Sequence, residues 1–138
     1  MSVDTVADDG VVREFSTGAS RGTKEGKLEF TGFFSPLVLH RVAQYMDKHR
    51  VMDDGSLRDP DNWQKGMPIE EYMASMWRHF FDVWAIQRGY GANVGAGDDP
   101  EEALCALFFN VQGMLHEVIQ QNERDWIFAG LPGPDGTP

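Results

Sequence analysis

The stretch that decides the fold is "SMWRHFFDVWAIQRG", residues 75–89, in which large apolar side chains occupy most positions. The apolar pattern extends back to Pro68, which is followed closely by two glutamates of the kind that favour a first helical turn. Gly89 marks the end of the pattern. These residues predict a helix over about 68–88 that is apolar nearly all round and is therefore buried on several sides.

Three ionisable side chains, Arg78, His79 and Asp82, interrupt this apolar helix. At about 100° per residue, Ser75, Arg78 and Asp82 fall on one narrow stripe, with His79 beside it. A buried carboxylate is costly unless it is paired or bound to a cation. Two interpretations remain open: Arg78 and His79 neutralise the carboxylate in a structural polar network, or a divalent metal does so in a functional site.

Two further helices are predicted around this segment. Residues 35–50, "SPLVLHRVAQYMDKHR", contain a proline at a favourable first position and predict a helix over about 36–50. Asp99 as N-cap and Pro100 as first residue predict another helix over about 100–121. Because no segment has a convincing strand pattern, the predicted fold class is all-α.

The last predicted helix carries a second polar stripe. Glu102, Asn110 and Glu117 project into an arc of about 80°, with small residues between them. If the two stripes face each other, Asp82, Glu102, Asn110 and His79 line one pocket.

The chain is predicted to have one folded domain with two irregular ends. Residues 1–34 are rich in glycine, serine, threonine and charge, which is typical of a flexible arm that contains basic residues. A single helical domain is predicted over 35–130. Residues 131–138 are predicted to be a disordered tail.

Composition restricts the function classes. With 138 residues and 41% hydrophobic composition, the chain has the size of one domain that can bury a core. The net charge of −10 repels polyanions, so DNA is not an expected partner. No apolar run of about 18 residues occurs, so no membrane association is expected, and the single cysteine suits a cytoplasmic protein, or the host cytoplasm if a phage encodes it.

Assembly is also predicted from the apolar surface. The helices are apolar on more faces than three helices can cover, so some of Trp77, Trp84, Phe108 and Phe109 are expected to bury against another subunit. The chain is therefore predicted to form a homodimer or homotetramer.

Three segments carry a resemblance to a known family: "STGASRGTKEGKLEFTGFFSPLVL" (16–39), "DPDNWQKGMPIEEYMASMWRHFFDVW" (59–84) and "DPEEALCALFFNVQGMLHE" (99–117). The most specific elements are N-W-x-K-G from position 62, S-x-x-R-H from position 75, and the later Asn110. Together they resemble the phage dATP/dGTP diphosphohydrolase (pyrophosphohydrolase) family, relatives of the MazG-like all-α nucleotide pyrophosphohydrolases.

The resemblance implies an oligomeric enzyme that hydrolyses a purine nucleoside triphosphate between its α and β phosphates, with Mg²⁺ or Mn²⁺ as cofactor. It implies catalytic roles for His79, Asp82 and Glu102, with Asp82 and Glu102 also as metal ligands, and a substrate-binding role for Asn110. The chain departs from the MazG-like pattern, since it has H-x-x-D where an E-x-x-E helix motif is usual.

Four more side chains are candidates for binding the nucleotide. Arg78, Lys27 and Lys65 are expected to reach phosphates, and Trp63 is expected to stack on a purine. The alternatives are solvated charges for the two lysines and a capping aromatic for Trp63.

Three functions therefore remain open. The first is the metal-dependent pyrophosphohydrolase. The second is a non-catalytic protein that sequesters a nucleotide or cyclic nucleotide on the same scaffold, as a counter-defence protein would. The third is a purely structural helical oligomer whose polar stripes hold helices together.

Overall fold

The computed structural model describes residues 12–22 and 26–129, with the backbone alone for 125–129. It divides into two compact units, Met1–Ser35 and Pro36–Pro138, which are described separately. The predicted tail over 131–138 lies outside the described residues. Within the described ranges, no helix is both long and apolar enough to cross a lipid bilayer.

The N-terminal unit contains a small antiparallel hairpin. Strand β1 (Val12–Glu14) pairs with β2 (Ser20–Gly22), and the connecting turn uses Gly18 at φ 85°. A single-turn helix, α1 (Phe30–Phe33), follows. The expectation that no segment forms a strand was wrong here, because strands of three mainly exposed residues are too short to show an alternating apolar pattern.

The second unit contains the three predicted helices, and the mostly helical class is confirmed. They are α2 (Pro36–Lys48), α3 (Ile69–Gln87) and α4 (Pro100–Ala129). Asp99 caps α4 as predicted, since its Oδ1 accepts hydrogen bonds from the backbone N–H groups that open the helix. Helix α4 runs well past residue 121, because residues 121–129 contain no glycine or proline.

Helix α4 is the centre of this unit, since both α3 and α2 pack against it. Small side chains dominate the contact and let the helices approach closely. The buried apolar residues of the described part are Val42, Tyr72, Ala85, Ala103, Cys105 and Ala106. Tyr72 is 1% exposed and lies over Gly113, where an added Cβ would lie only 2.5 Å from the tyrosine Cζ.

The connection between α2 and α3 is ordered by its own hydrogen bonds. Val51 pairs with Leu57 in an antiparallel bridge, and the turn between them is held by Ser56, whose N–H and hydroxyl both donate to Asp54 Oδ1. A 3₁₀ helix, Asn62–Lys65, follows. This connection therefore presents its side chains from a defined backbone.

Candidate functional site

Two adjoining cavities lie in the helical unit, each of about 300 Å³. The first, which we call the tryptophan cavity, is bordered by α2, α3, α4 and the connection that carries Trp63. The second, the acidic cavity, lies beside the start of α4. Tyr45, His49 and His79 line both cavities, so the two lie side by side with these side chains between them. We call the two cavities together the groove.

Trp63 is held at the tryptophan cavity by two aromatic neighbours on α4. Its ring meets Phe109 and His116 edge to face, with centroids 6.4 and 5.0 Å away. The indole is only partly buried, so it retains exposed surface toward the cavity it lines. An aromatic ring fixed in this way is a platform on which a planar base can stack.

Two arginines at the base of the α2–α3 connection also line the tryptophan cavity. Arg50 donates from Nε to the Arg58 carbonyl oxygen at 2.8 Å and from a terminal nitrogen to Asp47 at 3.0 Å. Within the described residues, the guanidinium of Arg58 has no hydrogen-bond or ion-pair partner. Arg58 therefore contributes an unpaired guanidinium where a phosphate could bind, in a lining that also includes Asp59.

A buried carboxamide completes the tryptophan cavity. Asn110 is 7% exposed, and its Nδ2 donates to the Ala106 carbonyl oxygen at 2.8 Å. This hydrogen bond uses one of the two amide hydrogens, so the second N–H can donate to a ligand and Oδ1 can accept from one. Ser75 and His79 line the same cavity from α3, so the two predicted polar stripes do face each other.

The acidic cavity is lined by four carboxylates, those of Asp82, Asp98, Asp99 and Glu102. Asp82 lies on α3 with its side chain 35% exposed, and one of its oxygens is 3.9 Å from His79 Nδ1. The carboxylates are therefore half-exposed at the mouth of a cavity, whereas the sequence pattern had suggested burial.

Glu102 is neutralised by two cations of α2. Its oxygens accept from a terminal nitrogen of Arg41 at 3.0 Å and from Lys48 Nζ at 2.6 Å. The hydrogen bond from Lys48, and then the one from Arg41, lowers the pKa of Glu102 below its ordinary value. Glu102 is thus a strongly ionised carboxylate with occupied oxygens.

The imidazole of His79 is kept neutral near neutral pH. Burial lowers its pKa below the ordinary value of 6.5, and this exceeds the opposite influence of Asp82. The nearby cations Arg78 and His49 act in the same direction as burial. A neutral imidazole beside a carboxylate can accept or relay a proton.

The residues expected to bind a metal line one cavity but do not converge. Within 12–22 and 26–129, no three histidine, cysteine, aspartate or glutamate side chains lie close enough together to hold a metal ion. Of the implied pair, Glu102 is already engaged by two cations, and Asp82 remains open to solvent.

Two predicted phosphate-binding residues of the helical unit, Arg78 and Lys65, line neither cavity, although each bonds to a residue that lines the tryptophan cavity. Arg78 is exposed and donates to Ser75 Oγ at 2.9 Å. Lys65 is exposed and donates to Asn62 Oδ1 at 3.3 Å. Lys27 belongs to the N-terminal unit, where it lines a cavity of its own.

Sequence reasoning missed the cations that the structure places at the groove: Arg41, Lys48, Arg50 and Arg58. Arg41 and Lys48 are seven residues apart, which is two helical turns, so they share one face of α2 and could have been paired with an acidic helix start. Arg58 had no comparable indication, because its position depends on how the α2–α3 connection folds.

Comparison with known proteins adds no further assignment: no protein-family model, no curated protein and no solved structure matches this chain.

Proposed function

We propose that this protein binds a purine nucleoside triphosphate in the tryptophan cavity and hydrolyses it to a nucleoside monophosphate and pyrophosphate. The observation that carries the proposal is the grouping of a fixed indole, an unpaired guanidinium and a buried carboxamide around one cavity, with four carboxylates in the next. The cavity volume of about 300 Å³ lies at the lower end of the range for small-molecule sites.

The binding step follows from the chemistry of the lining residues. Trp63 would stack on the base, which favours purines because of their larger π surface. Asn110 Oδ1 would accept a hydrogen bond from the ligand, and Arg58, supported by Arg50, would contact the phosphates. These contacts would place positive charge at one site. They can therefore bind a nucleotide even though the chain as a whole carries a net negative charge.

The hydrolytic step uses the acidic cavity. A water molecule would form a bond to the α phosphorus while the bond from that phosphorus to the bridging oxygen breaks, and pyrophosphate leaves with that oxygen. The proton of the water would pass to Asp82, whose carboxylate lies 3.9 Å from Nδ1 of neutral His79. Mg²⁺ or Mn²⁺, when it accompanies the triphosphate, supplies charge neutralisation, and Asp82 is the more accessible of the two implied carboxylate ligands.

A second function is favoured by the state of Glu102. Because Arg41 and Lys48 occupy its oxygens, the acidic cavity lacks a second free carboxylate from the implied pair. A protein that keeps the tryptophan cavity but not the hydrolytic set would sequester a nucleotide or cyclic nucleotide without cutting it.

One assay separates the two functions. The protein is incubated with each of the four deoxynucleoside triphosphates and Mg²⁺, with Asp82→Asn as the matched control, and products are resolved by ion-exchange chromatography. Monophosphate and pyrophosphate from the wild type alone support hydrolysis. A ligand-induced rise in melting temperature without product supports sequestration. Neither product nor a melting shift would overturn both functions and leave the polar stripes as structural contacts.

We also propose that the active species is a homodimer or homotetramer. Helix α3 exposes a row of aromatic side chains spaced at helical intervals, of which Trp77 is 68% and Trp84 is 52% exposed. A second copy of the same face would cover these rings in a two-fold contact. Light scattering is expected to give a multiple of 15.5 kDa, and a monomer mass at micromolar concentration would contradict the proposal.

A further inference from the structure

The N-terminal hairpin places two arginines directly opposite each other. In the β1–β2 register, Arg13 is the partner of Arg21. Directly opposed residues of an antiparallel pair project from the same face with their Cβ atoms about 4.5–5.5 Å apart, and like charges in this position destabilise the pair. A hairpin with strands of only three residues has little else to offset that repulsion.

Among the described residues, no carboxylate neutralises either guanidinium group. Arg13 donates from Nε to the Gly22 carbonyl oxygen at 3.0 Å and lies over the Phe15 ring, which fixes its position without reducing its charge. In the described part of the chain, neither Arg13 nor Arg21 forms an ion pair.

A third cation and a hydroxyl complete the cluster. Lys27 and Ser20 line the same cavity of about 550 Å³ as the two arginines. The carboxylate in this lining, Glu29, accepts a hydrogen bond from the Thr31 hydroxyl and forms no ion pair with the cations among the described residues. Three of the 12 lysines and arginines of an acidic chain thus meet at one cavity.

We propose that this cluster is an anion-binding site for a phosphoanhydride, either inorganic pyrophosphate or the polyphosphate chain of a nucleotide. Two opposed guanidinium groups present forked donors that match phosphate oxygens, and a bound diphosphate would remove the repulsion between them. The residues of the site all lie in the N-terminal unit, so the proposal does not depend on whether the helical unit hydrolyses nucleotides.

The test is calorimetric titration of the full-length protein with inorganic pyrophosphate, and separately with a nucleoside triphosphate. The informative variant is Arg21→Glu, which replaces the like-charge pair by an opposite-charge pair and so favours the hairpin while removing the site. The control variants are Arg88→Gln, an exposed arginine of the helical unit, and Arg58→Gln in the tryptophan cavity.

We expect Arg21→Glu to weaken pyrophosphate binding by about tenfold or more, because hydrogen bonds to charged groups are lost, while Arg88→Gln binds it like the wild type and Arg58→Gln loses at most a contribution of the tryptophan cavity. If the nucleoside triphosphate displaces pyrophosphate from Arg58→Gln, the polyphosphate chain of a nucleotide also binds at this cluster. The proposal is overturned if wild type shows no pyrophosphate binding at millimolar concentration, or if Arg58→Gln loses it and Arg21→Glu does not. Hydrolysis is measured independently, so failure of one proposal leaves the other to be judged by its own assay.

Discussion

The tryptophan cavity and the acidic cavity share three lining residues and differ in charge, and the difference has a structural origin. Asp98, Asp99 and Glu102 lie where α4 begins, and Asp99 caps that helix while Glu102 pairs with α2, so helix formation alone accounts for much of the negative charge. Neither helix capping nor helix pairing accounts for the unpaired guanidinium of Arg58 or for the partly exposed ring of Trp63. The tryptophan cavity is therefore the better indicator of ligand binding, and the acidic cavity needs functional tests.

The largest effect is expected at Asp82. Asp82→Asn should reduce turnover of the triphosphate by roughly 10²-fold or more, because the variant removes the group that accepts the proton. Its unfolding free energy should change by less than about 1 kcal/mol, since the carboxylate is half-exposed and Arg78 pairs with Ser75 rather than with it. Initial rates and thermal melts of both proteins, with and without Mg²⁺, measure the two quantities.

A severe loss of stability in Asp82→Ala without any loss of turnover would reverse this assignment. The acidic cavity would then have a structural role only, as Asp99 already has in capping α4.

The next largest effect concerns the tryptophan cavity. Trp63→Ala should weaken nucleotide binding by about 10- to 100-fold, the loss typical of one base–aromatic stack. Tyr90→Ala is the matched control, because that ring is 62% exposed and does not line this cavity. Fluorescence or calorimetric titration with a purine nucleotide distinguishes them, and equal losses in both variants would show that the effect is not local.

A smaller, pH-dependent effect is expected at His79, between the two cavities. Because its pKa is lowered in the native state, the unfolded chain binds more protons just below pH 6.5, so native stability should fall as the pH drops through this window. His79→Gln should lack that part of the decline. Melting temperatures from pH 7.5 to 5 give the comparison, and Asp82, Arg78 and His49 remain unchanged in both proteins.

The smallest effect is expected at Glu102. Because the pKa of Glu102 is lowered in the native state, its ion pairs stabilise that state at pH values above the ordinary pKa of 4.5. This stabilisation is lost as the pH falls through the lowered pKa. The wild type should therefore melt slightly above Glu102→Gln at pH 6, and the two curves should meet on acidification. A difference that persists at pH 2 would indicate that Glu102 acts through something other than its charge.

The helices were predictable because their signals are local. Pro36 and the Asp99–Pro100 pair mark helix starts, Gly89 marks an end, and the structure places the boundaries close to these residues. Helical periodicity predicted the two polar stripes but left open whether they face each other, and it is the packing of α3 on α4 that brings Ser75, His79 and Asn110 to one cavity. The hairpin was missed because its short strands show no alternating apolar pattern. The long extension of α4 was missed because no strong signal marks where that helix ends.

The charges at the site were predicted less well because they depend on tertiary placement. Arg78 lies in a motif of the helix, yet its side chain turns to Ser75 instead of a phosphate site. Arg58 lies in a connection whose folding depends on the Val51–Leu57 bridge, and sequence periodicity gives no information about such a turn. Glu102 was assigned to a metal because its α2 partners were not considered.

The contact of Tyr72 with Gly113 limits how this protein can move. A one-turn shift of α4 along α3 would bring Phe109 or Glu117 under the tyrosine ring, and even a methyl group at 113 would lie 2.7 Å from the tyrosine hydroxyl. Helices α3 and α4 are thus prevented from sliding, and His79 keeps a constant relation to Asn110. The α3–α4 pair therefore forms the rigid wall of both cavities, and any adjustment to a ligand must involve residues outside this pair.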